Sequence, residues 1–163
     1  TAKYCRVIPG GFTEDCQAYV DREHQWNGLD ANGIPERLLG GDYVMTFNDD
    51  KTDTEFEMVV KLARPANLYV LIDNRVPPPD WLVEDFEDTT LEVGLDEIFR
   101  HINVELGVGA GKSIDQVYSV WHRKVSEAGS VVLGPLGRQV FTQPARVGQR
   151  GMYGIVATPL EKN

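Results

Sequence analysis

Cysteine, histidine and basic charge are all scarce in this 163-residue chain: two Cys, three His, and 16 Lys plus Arg against 25 Asp plus Glu. The formal net charge of −9 argues against a nucleic-acid partner, because phosphate contacts need clustered Lys and Arg. No apolar run approaches the ~20 residues that a membrane-spanning helix requires, so no membrane span is expected. His24, His101 and His122 are scattered, with no metal-ligand spacing and no serine or cysteine nucleophile set beside them. That removes the signatures of a metallohydrolase and of a nucleophile–histidine pair. The opening "TAKYCRVIPGGFTEDC" lacks a charged-then-apolar pattern; any such signal has been removed or was never there. Helical periodicity is rare as well.

The two cysteines, Cys5 and Cys16, flank Pro9, Gly10 and Gly11. No CxxC pair or neighbouring His completes a metal set. The expectation is a disulfide closing a short loop, worth about 3 kcal/mol in the chain-entropy model. With it comes an oxidising, extracytoplasmic compartment. Two free thiols are the alternative.

What is present is a period of two. Residues 1–41 are rich in turn signals ("PGG", "WNG", "DANGIP", "LGG") and read as a disulfide-bearing lead-in packed on the core, with one short strand around Tyr19. From Asp42 onward the chain reads as a β-sandwich domain, residues 42–163. "DYVMTF" is strand-like. In "EFEMVVKLA", Phe56, Met58, Val60 and Leu62 alternate with Glu55, Glu57 and Lys61, the mark of a strand with one wet face. "LYVLID" is a more fully buried strand, and "LEVG", "DQVYSVWHRKV", "SVVLG" and "MYGIVAT" follow. "LDEIFRHINVEL" has room for a short helix. The turn "SEAG" between two of these strands is the strongest hairpin signal in the chain. Strands recurring with Gly, Pro and Asp punctuation predict an all-β, antiparallel β-sandwich.

Two motifs invite chemistry. "ELGVGAGKS" imitates a phosphate loop, but Leu106 occupies the first glycine position and a strand, not a helix, follows. It reads as a glycine linkage. "NDDKTDTEFE" gathers carboxylates, yet Asp53 stands where a helix–loop–helix calcium site needs glycine, and "LDANGIP" has only Asp30 and Asn32. A structural calcium ion is the one candidate cofactor, and the sequence assigns it no ligand set. Asp73, Asp80, Glu84, Asp85, Glu87 and Asp88 could include the paired carboxylates of a glycosidase. Any acidic loop would supply as many.

The aromatics are more informative. Trp26, Trp81 and Trp121 sit in "HQWNG", "PPDWL" and "VWHRK". An exposed Trp beside Asp, Asn and Arg can cover the apolar face of a pyranose while the polar groups take its hydroxyls. The competing reading is that each plugs the core or a corner, with Trp121, in mid-strand, the most core-like.

Taken together, "LYVLIDNRVPPPDWL", "FEDT", "YSVWHRKVSEAGSVVLGP" and "GMYGIVA" resemble the jelly-roll, galactose-binding-like β-sandwich modules of bacterial polysaccharide lyases, glycoside hydrolases and surface proteins. The matching positions are Asp73, Arg75, Pro79, Trp81 and Leu82, then Asp88 and Thr89. Tyr118, Lys124, Ala128, Gly129, Val131, Leu133 and Gly134 follow, and finally Met152 and Tyr153. The likeness runs from about Asp42 to Thr158. The chain departs from it at Thr90, where the family has glycine, and over an insertion between Val93 and Ser113. The resemblance implies a non-catalytic, secreted or surface module.

The expected ligand is a polysaccharide or glycan, with Arg75 donating to hydroxyls or a sugar carboxylate, Asp73 orienting it, and Trp81 and Trp26 as stacking faces. The main rival is a structural or assembly domain that self-associates or docks on a neighbouring surface protein. A carbohydrate-active enzyme is third.

Overall fold

The computed structural model describes residues 4–136 and 150–160. Strands β1 (Arg6–Ile8), β2 (Cys16–Gln17), β3 (Gln25–Asn27), β4 (Asp42–Met45) and β5 (Met58–Leu62) precede the long β6 (Ala66–Asp73). A short helix α1 (Asp80–Asp85) separates β6 from β7 (Glu87–Asp96), and β8 (Ile114–Val125), β9 (Gly129–Leu133) and β10 (Gly154–Pro159) complete the described strands. They form an all-β sandwich. One sheet has eight strands in the order β1-β4-β10-β6-β8-β7-β3-β2, and the other holds only β5 and β9.

The central strand is β6, flanked by β10 and β8 and buried along nearly its whole length. Its run Leu68–Ile72 is apolar on both faces, as a strand covered on both sides must be. The small sheet closes the core from one side. Met58, Val131 and Leu133 turn inward while Val59 and Val132, directly opposed in register, face solvent. The alternation of "EFEMVVKLA" places Phe56 and Met58 in the core as the period of two predicts.

The hairpin expected at Ser126–Gly129 does not form. β8 pairs with β6 and β7, whereas β9 pairs with β5 in the other sheet. Both edges of β8 are already occupied, so the chain leaves the large sheet after Val125 and crosses over. Nor does "LDEIFRHINVEL" become an α-helix. Its start extends β7, a bridge joins Phe99 to Val104, and the turn between them contains one 3-10 segment, Arg100–Ile102.

Residues 4–41 contribute three strands to the large sheet, not one. β1 lies against β4, and β3 lies against β7. Beyond β2 the chain returns to β4: Tyr19 bridges Thr46, and the Val20 N–H donates to the Thr46 carbonyl at 2.9 Å.

The expected Cys5–Cys16 disulfide is absent, and both thiols are free. The register explains why. Arg6 faces Met45, so Cys5 lies one step beyond it, whereas the Cys16 thiol packs beside Tyr43. Cys16 itself belongs to β2, which pairs with β3 and not with β1. Burial pushes the Cys16 thiol up to about 11, which keeps it protonated and unreactive. The redox argument for an oxidising compartment falls with the bond.

Thr90, which stands where the resembling family has glycine, adopts φ 64. It sits where the β7–β8 register slips between Asp88 and Glu92, and the Asp88 carboxylate accepts its N–H at 2.9 Å. A β-branched residue in this left-handed region is strained.

Candidate functional site

The end of β6 sets the site. Asp73 is the last residue of the strand, 1% exposed, and its carboxylate is held from three directions. The Arg75 guanidinium grips it through Nε (3.0 Å to Oδ1) and Nη2 (2.7 Å to Oδ2). The Arg75 backbone N–H donates to Oδ1 at 2.9 Å, and the Gly151 N–H donates to Oδ2 at 2.8 Å. A buried carboxylate needs this degree of satisfaction. The result is an Arg75 side chain fixed in orientation and 29% exposed.

Arg75 lines a cleft of about 490 Å³, within the ~300–1,000 Å³ range of small-ligand sites. Five stretches of chain bring the other walls. Arg22 and His24 come from the loop before β3, Lys51 from the 3-10 segment Asn48–Thr52, and Glu97 and Phe99 from the end of β7. Asp115 and Gln116 open β8, and Arg150 and Gly151 precede β10. Tyr19 belongs to the buried floor, where its hydroxyl meets the Tyr118 hydroxyl at 3.1 Å and donates to the Met152 carbonyl at 2.9 Å.

The local folding that presents Lys51 is specific. The Asp21 carboxylate accepts the N–H groups of Asn48 (2.7 Å) and Asp49 (3.2 Å), and the buried Asn48 amide accepts the Met152 N–H at 3.0 Å. These contacts pin the 3-10 segment onto the core and leave Lys51 half-buried at the cleft. Burial lowers its ammonium pKa, and the neighbouring Arg22 adds to the effect. His24 is pushed down to about 4 by burial, then by Arg22 and Lys51. Its Nδ1 accepts the Ile98 N–H at 3.1 Å, so the neutral ring carries its proton on Nε2. The Glu97 carboxyl moves up through burial, opposed by Arg75, whose Nη2 stands 3.9 Å away. Phe99, half-buried, has its ring centroid 5.7 Å from that of His24 and offers the cleft an aromatic surface.

The four residues expected to bind ligand therefore separate. Asp73 and Arg75 come together at the cleft. Trp81 does not line it. Its Nε1 donates to the Pro135 carbonyl at 2.9 Å, and its ring lies edge-on to Phe86 and Tyr153. It also packs so closely on Gly134 that a Cβ there would stand 2.7 Å from it. Trp26 is wholly buried. It sits in β3 between β2 and β7, its ring centroid 4.8 Å from that of Tyr118. It presents no face to a sugar, which corrects its assignment as a stacking platform. Trp121, expected to be the most core-like, is only half-buried, because its side of β8 is covered less completely.

Nothing local in the sequence marks Lys51, Phe99, Asp115 and Gln116; long-range pairing alone brings them together. Among the described residues, no group of three or more His, Cys, Asp or Glu side chains is arranged to hold a metal ion. The carboxylates of the two candidate calcium stretches answer neighbours instead: Asp49 pairs with Arg22, while Asp53 and Asp30 cap the N–H groups of Glu55 and Asn32. No described helix is long and apolar enough to cross a membrane.

A second groove, of about 560 Å³ and largely aliphatic, runs between β5 and the β4–β10 margin of the large sheet.

With this geometry in view, the likeness to known proteins has a definite meaning. The class is an all-β sandwich, a fold that also occurs as a small part of a glycoside hydrolase. A β-glucuronidase of glycoside hydrolase family 2 shares the fold, with a TM-score of 0.69 over 97% of this chain and 14% of that one, at 20% sequence identity. More particularly, the chain is similar to a region of a β-glucuronidase of Formosa agariphila, 30% identical over 118 residues. That match covers 72% of this chain and 10% of the relative, so the chain spans about a tenth of the length of the protein it matches. No family model matches it.

Proposed function

We propose that this chain is a non-catalytic, extracytoplasmic carbohydrate-binding module that holds glycan in the Arg75 cleft. The reading rests on one observation above all. A cleft of about 490 Å³ carries a fixed guanidinium, further charged and amide side chains, and an aromatic ring in Phe99. Polar groups of this kind meet sugar hydroxyls in pairs, and the ring covers an apolar sugar face. Similarity to a region of one β-glucuronidase, and a shared fold with another, support a carbohydrate context. The small share of each relative covered favours an accessory role over a catalytic one.

The test is a glycan array followed by isothermal titration on wild type, Phe99→Ala and Gln116→Ala, with folding checked by thermal melting. The expected result is affinity in the millimolar to micromolar range, about 4–8 kcal/mol, lowered in both variants. Binding unchanged in both would move the site elsewhere. Hydrolysis of any bound glycan by the purified chain would replace the binding reading with an enzymatic one.

A second reading, docking on a neighbouring domain or protein, is favoured by the exposed Val59–Val132 pair and the aliphatic groove beside it. Self-association at micromolar concentration, seen by sedimentation and removed by Val59→Lys, would support it.

A further inference from the structure

We propose that the cleft is an anion site, and that the glycan held there is acidic, its negative group received by Lys51 with Arg22 and Arg75 beside it. This deepens the carbohydrate-binding reading and rests on it.

The charged groups of the cleft differ in whether they have partners. Arg75 is paired with Asp73, and Arg22 with Asp21 (3.2 Å) and Asp49 (2.7 Å). Of the two lining carboxylates, Asp115 accepts the Glu97 N–H at 2.7 Å and Glu97 stands 3.9 Å from Arg75. Lys51 is different. It is half-buried and has no hydrogen bond or ion pair with any described residue. An exposed lysine without a direct partner is ordinary; one set into a cleft beside two arginines has lost hydration, and the Asp49 and Glu97 carboxylates act on it only from beyond ion-pair distance.

Two groups report the resulting field. The Lys51 ammonium and the His24 imidazole are both shifted toward their neutral forms, by burial first and by neighbouring cations next. The lining gathers four cationic side chains, Arg22, Lys51, Arg75 and Arg150, against the carboxylates of Glu97 and Asp115, in a chain whose formal net charge is −9. A bound anion would relieve that repulsion and occupy the ammonium's three donors. Arg75 can add Nη1, since its Nε and Nη2 are committed to Asp73.

The other lining groups narrow the anion. Glu97 and Asp115 would repel a multiply charged phosphate or a nucleic acid, yet they accept hydrogen bonds from hydroxyls. Phe99 offers an apolar surface. One negative charge on a body rich in hydroxyls fits this set: a sugar bearing a carboxylate or a sulfate ester.

Three oligosaccharides of equal length decide it by calorimetric titration: an oligoglucuronate, its carboxyl-reduced neutral counterpart, and a sulfated neutral chain. Each is titrated into wild type and Lys51→Gln, whose melting temperatures are compared first. The expected result is that an acidic ligand binds at least about tenfold more tightly than the neutral one, the scale of a charge-assisted hydrogen bond. Lys51→Gln erases that preference, costing the acidic ligands far more affinity than the neutral chain. A preference for the oligoglucuronate assigns a carboxylate; a preference for the sulfated chain assigns a sulfate ester; either supports the anion site. Equal binding of acidic and neutral chains would overturn it while leaving carbohydrate binding intact. A preference that survives Lys51→Gln would overturn the role of Lys51. Binding of none of the three would overturn both this inference and the reading beneath it.

Discussion

Arg75 and Trp81 lie six positions apart in "NRVPPPDWL", and the structure gives them opposite surroundings. Arg75 is held by a buried carboxylate and turned toward an open, polar cleft. Trp81, carried past three prolines onto the first turn of α1, is clamped by Pro135, Gly134, Phe86 and Tyr153. The same few residues thus end one element at a site and seal the next at a corner. Residue type alone suggested both as ligand contacts. What separates them is what their polar atoms already do: the Trp81 indole N–H has a backbone acceptor, while Arg75 retains donor capacity at the cleft.

The cleft side depends most heavily on Asp73. Removing one partner of a buried pair leaves the other uncompensated, so Asp73→Ala is expected to destabilise the fold by about 3–5 kcal/mol. It also leaves the Gly151 N–H without its acceptor. Urea unfolding reads this directly, and a loss below about 1 kcal/mol would mean that the Asp73–Arg75 pair is dispensable to the fold.

The cleft side should also be the acid-labile side. His24 has a folded pKa of about 4, depressed from 6.5, so the unfolded chain takes up a proton over a range where the folded chain does not. Its contribution is complete above pH 6.5 and disappears as the pH falls toward 4, amounting to about 3 kcal/mol. His24→Asn keeps an acceptor for the Ile98 N–H without the titration. The stability difference between wild type and variant should therefore shift against wild type across that window. Parallel stability–pH curves would contradict the burial of a neutral His24.

At the corner, Trp81→Ala should cost about 2–3 kcal/mol, below the range for a fully buried Trp. Glycan affinity measured on the folded fraction should not change. A loss of affinity with stability intact would restore Trp81 as a ligand contact. Thr90 lies outside both regions and gives the smallest effect. Thr90→Gly relieves left-handed strain worth about 1–2 kcal/mol but adds unfolded-state entropy, leaving a gain of up to about 1 kcal/mol. Differential scanning calorimetry should show the melting temperature rising by about 2–4 °C.

How much of this was legible beforehand depends on range. The alternation in "EFEMVVKLA" and the apolar run of "LYVLID" are local facts, and both became the strands they predict. Partnership is not local. The turn after Val125 has hairpin chemistry, but β8 already had two neighbours, so β9 went to the other sheet. Residues 4–41 lack periodicity because their strands are two or three residues long, too short to show it. The tryptophans fail for a related reason. "HQWNG" looks polar, yet β3 is sandwiched between β2 and β7 and its Trp26 points inward, while Trp121 in a longer apolar strand stays half-covered. At the site, Asp73 and Arg75 could be found because they are two residues apart at a strand end. Lys51 and Phe99 could not, because they reach the cleft from segments separated by dozens of residues.

The most direct test of the central claim, that the cleft and not the tryptophan corner meets the glycan, is amide chemical-shift mapping during titration with an oligoglucuronate. Perturbations are expected to concentrate at Lys51, Arg75, Glu97, Phe99 and Gln116, with Trp81, Gly134 and the Trp81 indole N–H unmoved. Shifts centred on Trp81 and Gly134, with the cleft amides silent, would contradict it.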